Sequence, residues 1–485
     1  MKKVLFLLVV FLPFLANSQT SQIALEEAIH LAQKKSPEYQ AVLNTTQARY
    51  WRFRNYKASF LPQLGLNLTP RYDNSLTRLT NDEGQDIFVT QNQSIVDAQL
   101  GLTQQVPYTG GIFSVNSQLQ RIDRFGDNEG TSYSIVPFSI NYFQNSVFYN
   151  PFKWDKKIEP LLYEESRRDF IEKMEDISIN TCTRYFALLK AQMQLETAKR
   201  NLKNQDTLLQ IAKGRFRIGK IAENDLLQME LRHLNSQNSV TNFTVELKRA
   251  SQNLARYLAL NNENIELIIP AELETFEISV DKALQEAQKN RKAVIEYRRR
   301  RIEAERDLAE AKGSNRIQLR VNANFGLNGQ SDDYDTLFQD YNQQQNVSLS
   351  LGIPLFDWGV SKSKRKMAEA DLDLEETNIK RDQQEFEQEI YLHTLNWTNQ
   401  RDFLITSEKA KEIALKRYDI SQKRYILGKV DITNLNLAQE ERDKAILDYL
   451  NSLESFWTDY YLLRRLTLYD FLADQKIALE SLVFD

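Results

Sequence analysis

The residue types that most often carry out chemistry are scarce in this sequence and poorly spaced for it. His30, His233 and His393 are the only histidines, and none has a cysteine or a second histidine at metal-ligand spacing. Cys182 is the single cysteine and lies in a helical pattern, where a small buried thiol is its usual role. No phosphate loop, nucleophile elbow or dinucleotide fingerprint occurs. We therefore predict no catalytic site, no metal site, no cofactor and no enzymatic activity.

The N-terminal residues and the charge balance indicate where the chain acts. Two lysines precede an apolar run from Val4 to Leu15 that ends in Ala16-Asn17-Ser18. This pattern predicts a signal peptide over residues 1–18 and export across the inner membrane. No later stretch has the roughly 18–20 consecutive apolar residues of a membrane-spanning helix. The formal net charge of -4 favours neither nucleic acid nor an anionic lipid surface as a partner.

The sequence contains an internal repeat, so the elements that would position functional residues occur twice along the chain. Four segments of the first half match four segments of the second in the same order. Residues 25–34 match 282–289, 63–67 match 318–322, 151–155 match 355–359, and 215–221 match 424–430. The spacing shortens by about fifty residues between the second and third matches, which predicts an insertion between about residues 73 and 145 of the first half.

This duplication predicts two repeats, each with a helix, strands and a long helical hairpin. The first repeat spans 19–261, with a helix at 23–59, barrel strands over about 64–144 and a hairpin at 157–261. A linker follows at 262–278. The second repeat spans 279–470, with a helix at 279–313, strands at 316–355 and a hairpin at 360–470, and a tail covers 471–485.

Heptad spacing predicts that the long helices pack against partner helices. In the first half the seam consists of Thr181, Leu188, Leu195, Leu202, Leu209 and Phe216, and the second half has Ile390, Trp397, Leu404, Lys411, Tyr418 and Tyr425 at matching positions. The helices are predicted to end at Gly219 and Gly428, because glycine adopts the left-handed cap conformation and helical spacing resumes soon afterwards.

Alternating apolar and polar residues predict six strands. Four lie in the first half at about 64–72, 94–104, 112–120 and 133–143, and two lie in the second half between residues 316 and 355. Strands of about ten residues with one apolar and one polar face fit a transmembrane barrel, although a half-buried soluble sheet has the same pattern. Two strands in the second half cannot close a barrel, so oligomerisation is expected.

Taken in order, these motifs resemble the outer-membrane efflux protein family, the TolC-like channels. The resemblance rests on Leu25–Ile29, Leu61–Leu64, Ile353–Asp357 and Tyr425–Val430, and it covers nearly all of the mature chain. It implies a mainly α fold with a transmembrane β-barrel, in which duplicated helix-strand-helix repeats form a periplasmic α-helical tube. It also implies a homotrimer in outer-membrane lipid that docks on a periplasmic adaptor protein and, through it, on an inner-membrane pump.

The resemblance also assigns roles to residues at the helix tips. Asp225 and Asn434 align with positions that line the family's periplasmic constriction, and Leu437 aligns with another such position, although Asn434 and Leu437 are not acidic as is usual there. The docking surface for the adaptor would be the two tips, residues 215–227 and 424–436, with Arg215, Phe216, Gly219, Lys220, Arg424, Tyr425, Gly428 and Lys429 as its main candidates. Family members have four strands per subunit, so six would widen a trimeric barrel from twelve strands to eighteen, the alternative we favour.

The expected function is a passive exit duct for small molecules in a tripartite efflux system. An exit duct for polypeptides in type I secretion shares the same architecture, and the sequence does not distinguish drug, metal or protein cargo. A non-conducting structural tether is a third interpretation, which the polar face of each strand disfavours.

Overall fold

A computed structural model describes residues 21–80, 84–126, 129–271, 276–315 and 317–477. The predicted signal peptide lies outside these residues, as does the tail beyond residue 477. The helices are α1 Leu25–Lys35, α2 Pro37–Ser59, α3 Pro151–Arg217, α4 Glu223–Tyr257, α5 Val280–Asn290, α6 Lys292–Ser314, α7 Val360–Ile426 and α8 Ile432–Thr467. No helix in this part of the chain combines the length and apolar character that a membrane crossing requires.

The strands are unequal in length. They are β1 Ser21–Ile23, β2 Gln63–Thr80, β3 Asp86–Val106, β4 Gly111–Arg124, β5 Gly130–Gln144, β6 Ile265–Leu267, β7 Gln318–Ser331, β8 Asn342–Gly352, β9 Tyr469–Asp470 and β10 Gln475–Lys476. β2 and β3 continue well past the predicted segments because their Thr, Gln and Asn side chains still pair across the ladder, as in the 3.1 Å hydrogen bond from Thr77 to Gln91.

Each helix expected at the start of a repeat is divided in two. Where the sequence predicted one helix over 23–59, Ser36 is extended and α2 begins at Pro37, because proline has no N–H to continue α1. Where it predicted one helix over 279–313, Arg291 is extended in the same way without a proline. The same break in both halves is a further feature that the two repeats share.

Residues Thr45–Asp169 and Lys289–Gln388 belong to one compact unit, which contains a six-stranded antiparallel sheet. The strand order is β2-β3-β4-β5-β7-β8, so the first-half strands join the second-half pair through β5 and β7. The register shifts between Ile135 and Ser139, where β5 bulges against β7. Gly326 lies at this bulge, and a Cβ there would meet the Phe138 carbonyl oxygen at 2.7 Å.

The two faces of the sheet differ in chemistry along its whole width. Leu66 pairs with Leu100 in the β2–β3 ladder, and Val321 pairs with Leu349 in the β7–β8 ladder, all on one face. Leu66 is 69% exposed and Leu349 is 68% exposed. Few leucines on a sheet that faces water are exposed to this extent. The opposite face carries polar residues, among them Asp97, which accepts hydrogen bonds from Gln118 and Gln120.

The other compact unit contains Phe170–Gln288, Glu389–Ala478 and the chain up to Asn44. Its core includes Tyr185 and Trp457. The Tyr185 hydroxyl lies 2.6 Å from Ile268 O and 2.9 Å from Ile23 O, so its single hydrogen is shared between two carbonyl acceptors that hold the β1–β6 pair against α3. Cys182 is fully buried here, as expected of a packed thiol, and burial raises its pKa.

The heptad seams are buried over most of their length. Phe216, the last seam residue of α3, is an exception and is 39% exposed. Lys411, the polar residue of the α7 seam, places its ammonium 3.3 Å from the centre of the Tyr449 ring. A cation over an aromatic face lets a lysine occupy a seam position without an apolar head group.

Candidate gate and docking site at the helix tips

The turn from α3 to α4 is closed by a glycine in the left-handed conformation. Gly219 has φ +69°, and its N–H donates to Phe216 O at 2.9 Å. The next N–H, of Lys220, donates to Arg215 O at 2.9 Å. These two bonds form a Schellman motif, which satisfies the last carbonyls of α3 and reverses the chain in a few residues.

The turn from α7 to α8 repeats this geometry residue by residue. Gly428 has φ +73° and donates to Tyr425 O at 2.9 Å, and Lys429 donates to Arg424 O at 2.9 Å. The helices that follow begin differently. Asp431 caps α8 by accepting the Asn434 N–H at 2.8 Å, whereas Ala222, at the corresponding position before α4, offers no side-chain cap.

Arg215 connects the two turns. Its Nη2 donates to Tyr425 O at 3.2 Å and to Ile426 O at 3.0 Å, which are carbonyls at the C-terminal end of α7. Its guanidinium also lies 5.3 Å from the centre of the Tyr425 ring. A cation at this position neutralises the negative end of the α7 dipole and satisfies carbonyls that have no partner within the helix.

The Tyr425 ring is buried beneath this contact, with 6% of its surface exposed. It packs into an apolar cluster of Leu208, Leu209, Ala212, Met229, Tyr418, Ile432, Leu435 and Ala438, drawn from all four tip helices. Burial raises the pKa of Tyr425, the charge of Arg215 opposes that shift, and the nearby carboxylate of Asp225 adds to it. Arg215 thus contacts Tyr425 directly, and the charge of Asp225 acts on the same tyrosine.

The two predicted constriction residues occupy different environments. Asp225 is half-buried in the first turn of α4, where its charge faces the positive end of the helix dipole. Asn434 is exposed, and its side-chain amide donates to both oxygens of Asp431 at 3.1 and 3.0 Å. Leu437 is 46% exposed. One of the two positions thus carries a charge, and the other holds a neutral amide that is hydrogen-bonded to the capping residue Asp431.

The predicted docking residues divide into an exposed and an inward-facing group. Phe216, Lys220, Arg424 and Lys429 have exposed side chains, whereas Arg215 and Tyr425 form the contact between the turns. The predicted tips also include Ile218, 67% exposed, and Leu427, 68% exposed, which the sequence reasoning did not single out. Each is an apolar residue directly before a turn glycine, and this repeated position was the signal that could have revealed them.

A buried polar contact lower in these helices was also missed. Arg442 is 2% exposed, its Nη2 donates to Asn201 Oδ1 at 2.5 Å, and its guanidinium lies 3.9 Å from the centre of the Tyr418 ring. Asn201 in turn donates to Asp443 Oδ2 at 2.8 Å. An arginine among the charged residues of α8 gives no sequence signal for burial, because long charged helices carry most arginines on solvated faces.

Within the described residues no group of three or more His, Cys, Asp or Glu side chains is placed to hold a metal ion. The arrangement at the tips offers stacking, hydrogen bonding and charge, together with apolar surface.

Comparison with proteins of known structure defines the class of fold. The outer-membrane channel OprN superposes with a TM-score of 0.66 at 15% identity, over 91% of this chain and 89% of that chain. The Campylobacter jejuni CmeC outer membrane channel has a TM-score of 0.65 at 14% identity, over 91% and 85%. VceC from Vibrio cholerae has a TM-score of 0.63 at 13% identity, over 94% and 97%. The chain has the fold of these channels.

A family model also matches part of the sequence. Residues 283–467 match the family described as outer membrane efflux protein. No curated protein matches the sequence significantly. The TolC-like resemblance predicted from the sequence motifs is thereby confirmed, and so is the mainly α fold class with its sheet.

Proposed function

We propose that this protein is the outer-membrane channel of a tripartite efflux system, a passive trimeric duct for export of small molecules. The observation that carries the proposal is the six-stranded sheet, with one exposed apolar face, one polar face and edge strands β2 and β8 that have no second partner within the described chain. In lipid, backbone groups of an edge strand must be paired, and an apolar face suits acyl chains.

Pairing of edges between copies resolves both requirements. Because the sheet has an even number of antiparallel strands, β8 of one copy runs antiparallel to β2 of the next. Three copies of a six-stranded sheet would close eighteen strands, a size at which a barrel encloses an aqueous channel. The barrel would lie in the outer membrane and the helices in the periplasm.

The tips supply the remaining parts of the proposal. Asp225 and Asn434 would line the constriction, and the contact of Arg215 with Tyr425 would hold it in one state. The exposed group of Phe216, Lys220, Arg424 and Lys429, extended by Ile218 and Leu427, would dock on a periplasmic adaptor that links the duct to an inner-membrane pump. Exposed apolar side chains together with polar, charged ones fit the apolar core and polar rim of protein interfaces.

The test is the mass of the detergent-extracted protein together with single-channel conductance in planar bilayers. A trimeric mass and discrete conductance steps support the duct. A trimer that never conducts, even with Arg215 replaced by alanine, would favour the structural tether, and a monomer would remove the barrel altogether. Cysteines placed in pairs on β2 and β8, with Cys182 replaced by alanine, should crosslink neighbouring copies and not one chain to itself.

A further inference from the structure

The net charge of -4 conceals two short segments that contain cations and no carboxylate. Residues 45–62 carry Arg49, Arg52, Arg54 and Lys57, and residues 358–368 carry Lys362, Lys364, Arg365 and Lys366. The first segment lies in the last turns of α2 and ends directly before β2. The second contains the first turns of α7, which residues 353–357, ending in Asp357, separate from β8. We call them the basic ends.

Most of this positive charge is available to a partner. Arg54, Lys57, Lys362 and Lys364 are exposed. Two of the eight cations have carboxylate contacts at the surface, Arg52 with Glu159 at 3.3 Å and Lys366 with Glu369 at 2.7 Å. Burial and the nearby charges of Asp155 and Glu159 of α3 raise the pKa of Tyr56 of α2. The carboxylates that α3 and α7 place near the basic ends therefore compensate only part of their charge.

Aromatic side chains mark the same level of the molecule as a boundary between apolar and aqueous surroundings. Trp358 is 88% exposed and Phe356 is 73% exposed, with ring centres 4.5 Å apart. Trp358 has φ +53°, a costly conformation for a non-glycine residue, and Asp357 stabilises it by accepting the Gly359 and Ser361 N–H groups. Exposed tryptophans held in this way are typical of a membrane–water interface.

An apolar cavity lies near the end of β8 and is lined in part by the segment that leads to the basic end of α7. It has a volume of about 760 Å³ and is lined by Phe148, Gly313, Ile317, Ile353 and Pro354, together with the cation Lys312. An apolar cavity lined by one cation is complementary to an acyl chain attached to a negative head group.

We propose that the two basic ends form a binding surface for anionic phospholipid head groups of the leaflet that faces the periplasm. The inference rests on the proposed function, because pairing of β8 with β2 of the next copy brings the basic end of α7 beside that of α2. Like charges at such a junction repel each other, and lipid phosphates remove the repulsion. The lipid would thereby also stabilise the junction between copies.

The experiment uses the full-length protein in neutral detergent, with phosphatidylglycerol or phosphatidylcholine added and bound lipid counted by native mass spectrometry. Wild-type protein should prefer phosphatidylglycerol, and salt should weaken that preference. The triple variant Lys362→Gln, Lys364→Gln, Arg365→Gln should bind phosphatidylglycerol about one hundredfold more weakly at low salt and bind phosphatidylcholine unchanged. The matched control removes three exposed cations of α3, Lys199→Gln, Arg200→Gln and Lys203→Gln, and should retain the preference.

If the α7 variant fails to assemble, Arg49→Gln, Arg54→Gln, Lys57→Gln on α2 provides the second test with the same expectation. Equal binding of the two lipids by wild-type protein, or an equal loss in the α3 control, overturns the lipid site. Conductance separates this result from failure of the duct: a conducting trimer without lipid preference contradicts only the lipid site. A monomeric, non-conducting wild-type protein contradicts the proposed function.

Discussion

The turn after α3 and the turn after α7 have the same backbone, and equivalent side chains in them do different things. Arg215 and Arg424 both precede the turn glycine by four residues, yet Arg215 caps the end of α7 while Arg424 is exposed. Phe216 and Tyr425 both precede it by three, and Phe216 is 39% exposed while Tyr425 is 6% exposed. The duplicated turns share one backbone geometry, but their side chains have diverged. Arg215 of the first turn therefore donates hydrogen bonds to carbonyl groups at the second turn.

The largest difference between the turns should come from their aromatic residues. Tyr425→Ala should lower the free energy of unfolding of the helical part by about 3 kcal/mol, because it removes a buried ring from the tip cluster. The equivalent Phe216→Ala should cost about 1 kcal/mol or less, since much of that ring is already in water. Thermal unfolding in detergent measures both. Equal costs would contradict the asymmetry of the two turns.

The arginines should show the next largest effect. Arg215→Ala should cost about 1–2 kcal/mol and raise the open probability of the channel, because two carbonyls and the Tyr425 ring lose their cationic partner. Arg424→Ala is the matched control and should leave both quantities unchanged. Single-channel recordings compare the variants. An equal rise in open probability for both would contradict a specific role for the contact between Arg215 and the end of α7.

The glycines should show no asymmetry at all. Gly219→Ala and Gly428→Ala should each cost about 1–2 kcal/mol, because both residues need φ near +70° and a Cβ disfavours that conformation. A Cβ at Gly219 would meet no atom within 4 Å, and one at Gly428 would lie 4.0 Å from Arg215 Nη2, so steric contact adds nothing. A large inequality in their melting temperatures would show that the backbones differ in solution.

The helix caps should give the smallest effect on stability, with opposite signs at the two turns. Asp431→Ala should cost about 1 kcal/mol because the Asn434 N–H loses its acceptor, and Ala222→Asp should gain about 0.5–1 kcal/mol by introducing the missing cap. Hydrogen exchange of the first turns of α8 and α4 should report the two changes in opposite directions. If Ala222→Asp gives no protection, the start of α4 is governed by packing and not by its cap.

The parts of the molecule that could be predicted from sequence were those with a local physical cause. Glycines at 219 and 428 announced the turns because only glycine adopts that backbone cheaply, and alternation in Leu64–Leu68 or Val347–Ile353 announced strands because side chains of a strand point to opposite faces. The break at Ser36 also had a local cause in Pro37. The break at Arg291 has no such local cause. It is related to the break at Ser36 only by its equivalent position in the second repeat.

The candidate site could be predicted only in position. Both tips were located from their sequence, but Arg215 as a link between them and Arg442 as a buried cation were not, because each depends on a residue more than two hundred positions away. An arginine near the end of an exposed helix gives the same local signal whether its partner is water or a carbonyl of another helix.

The sequence by itself determined the duplicated order of elements, the two glycine-capped turns and the six amphipathic strands, because each follows from interactions within a few residues along the chain. The tertiary structure decided that the six strands form one sheet through β5 and β7, and that Tyr425 is buried while Phe216 is not. It also placed a cation of one turn on the carbonyls of the other. These features depend on which distant segments pack together, and packing free energy is shared among residues that no local pattern connects.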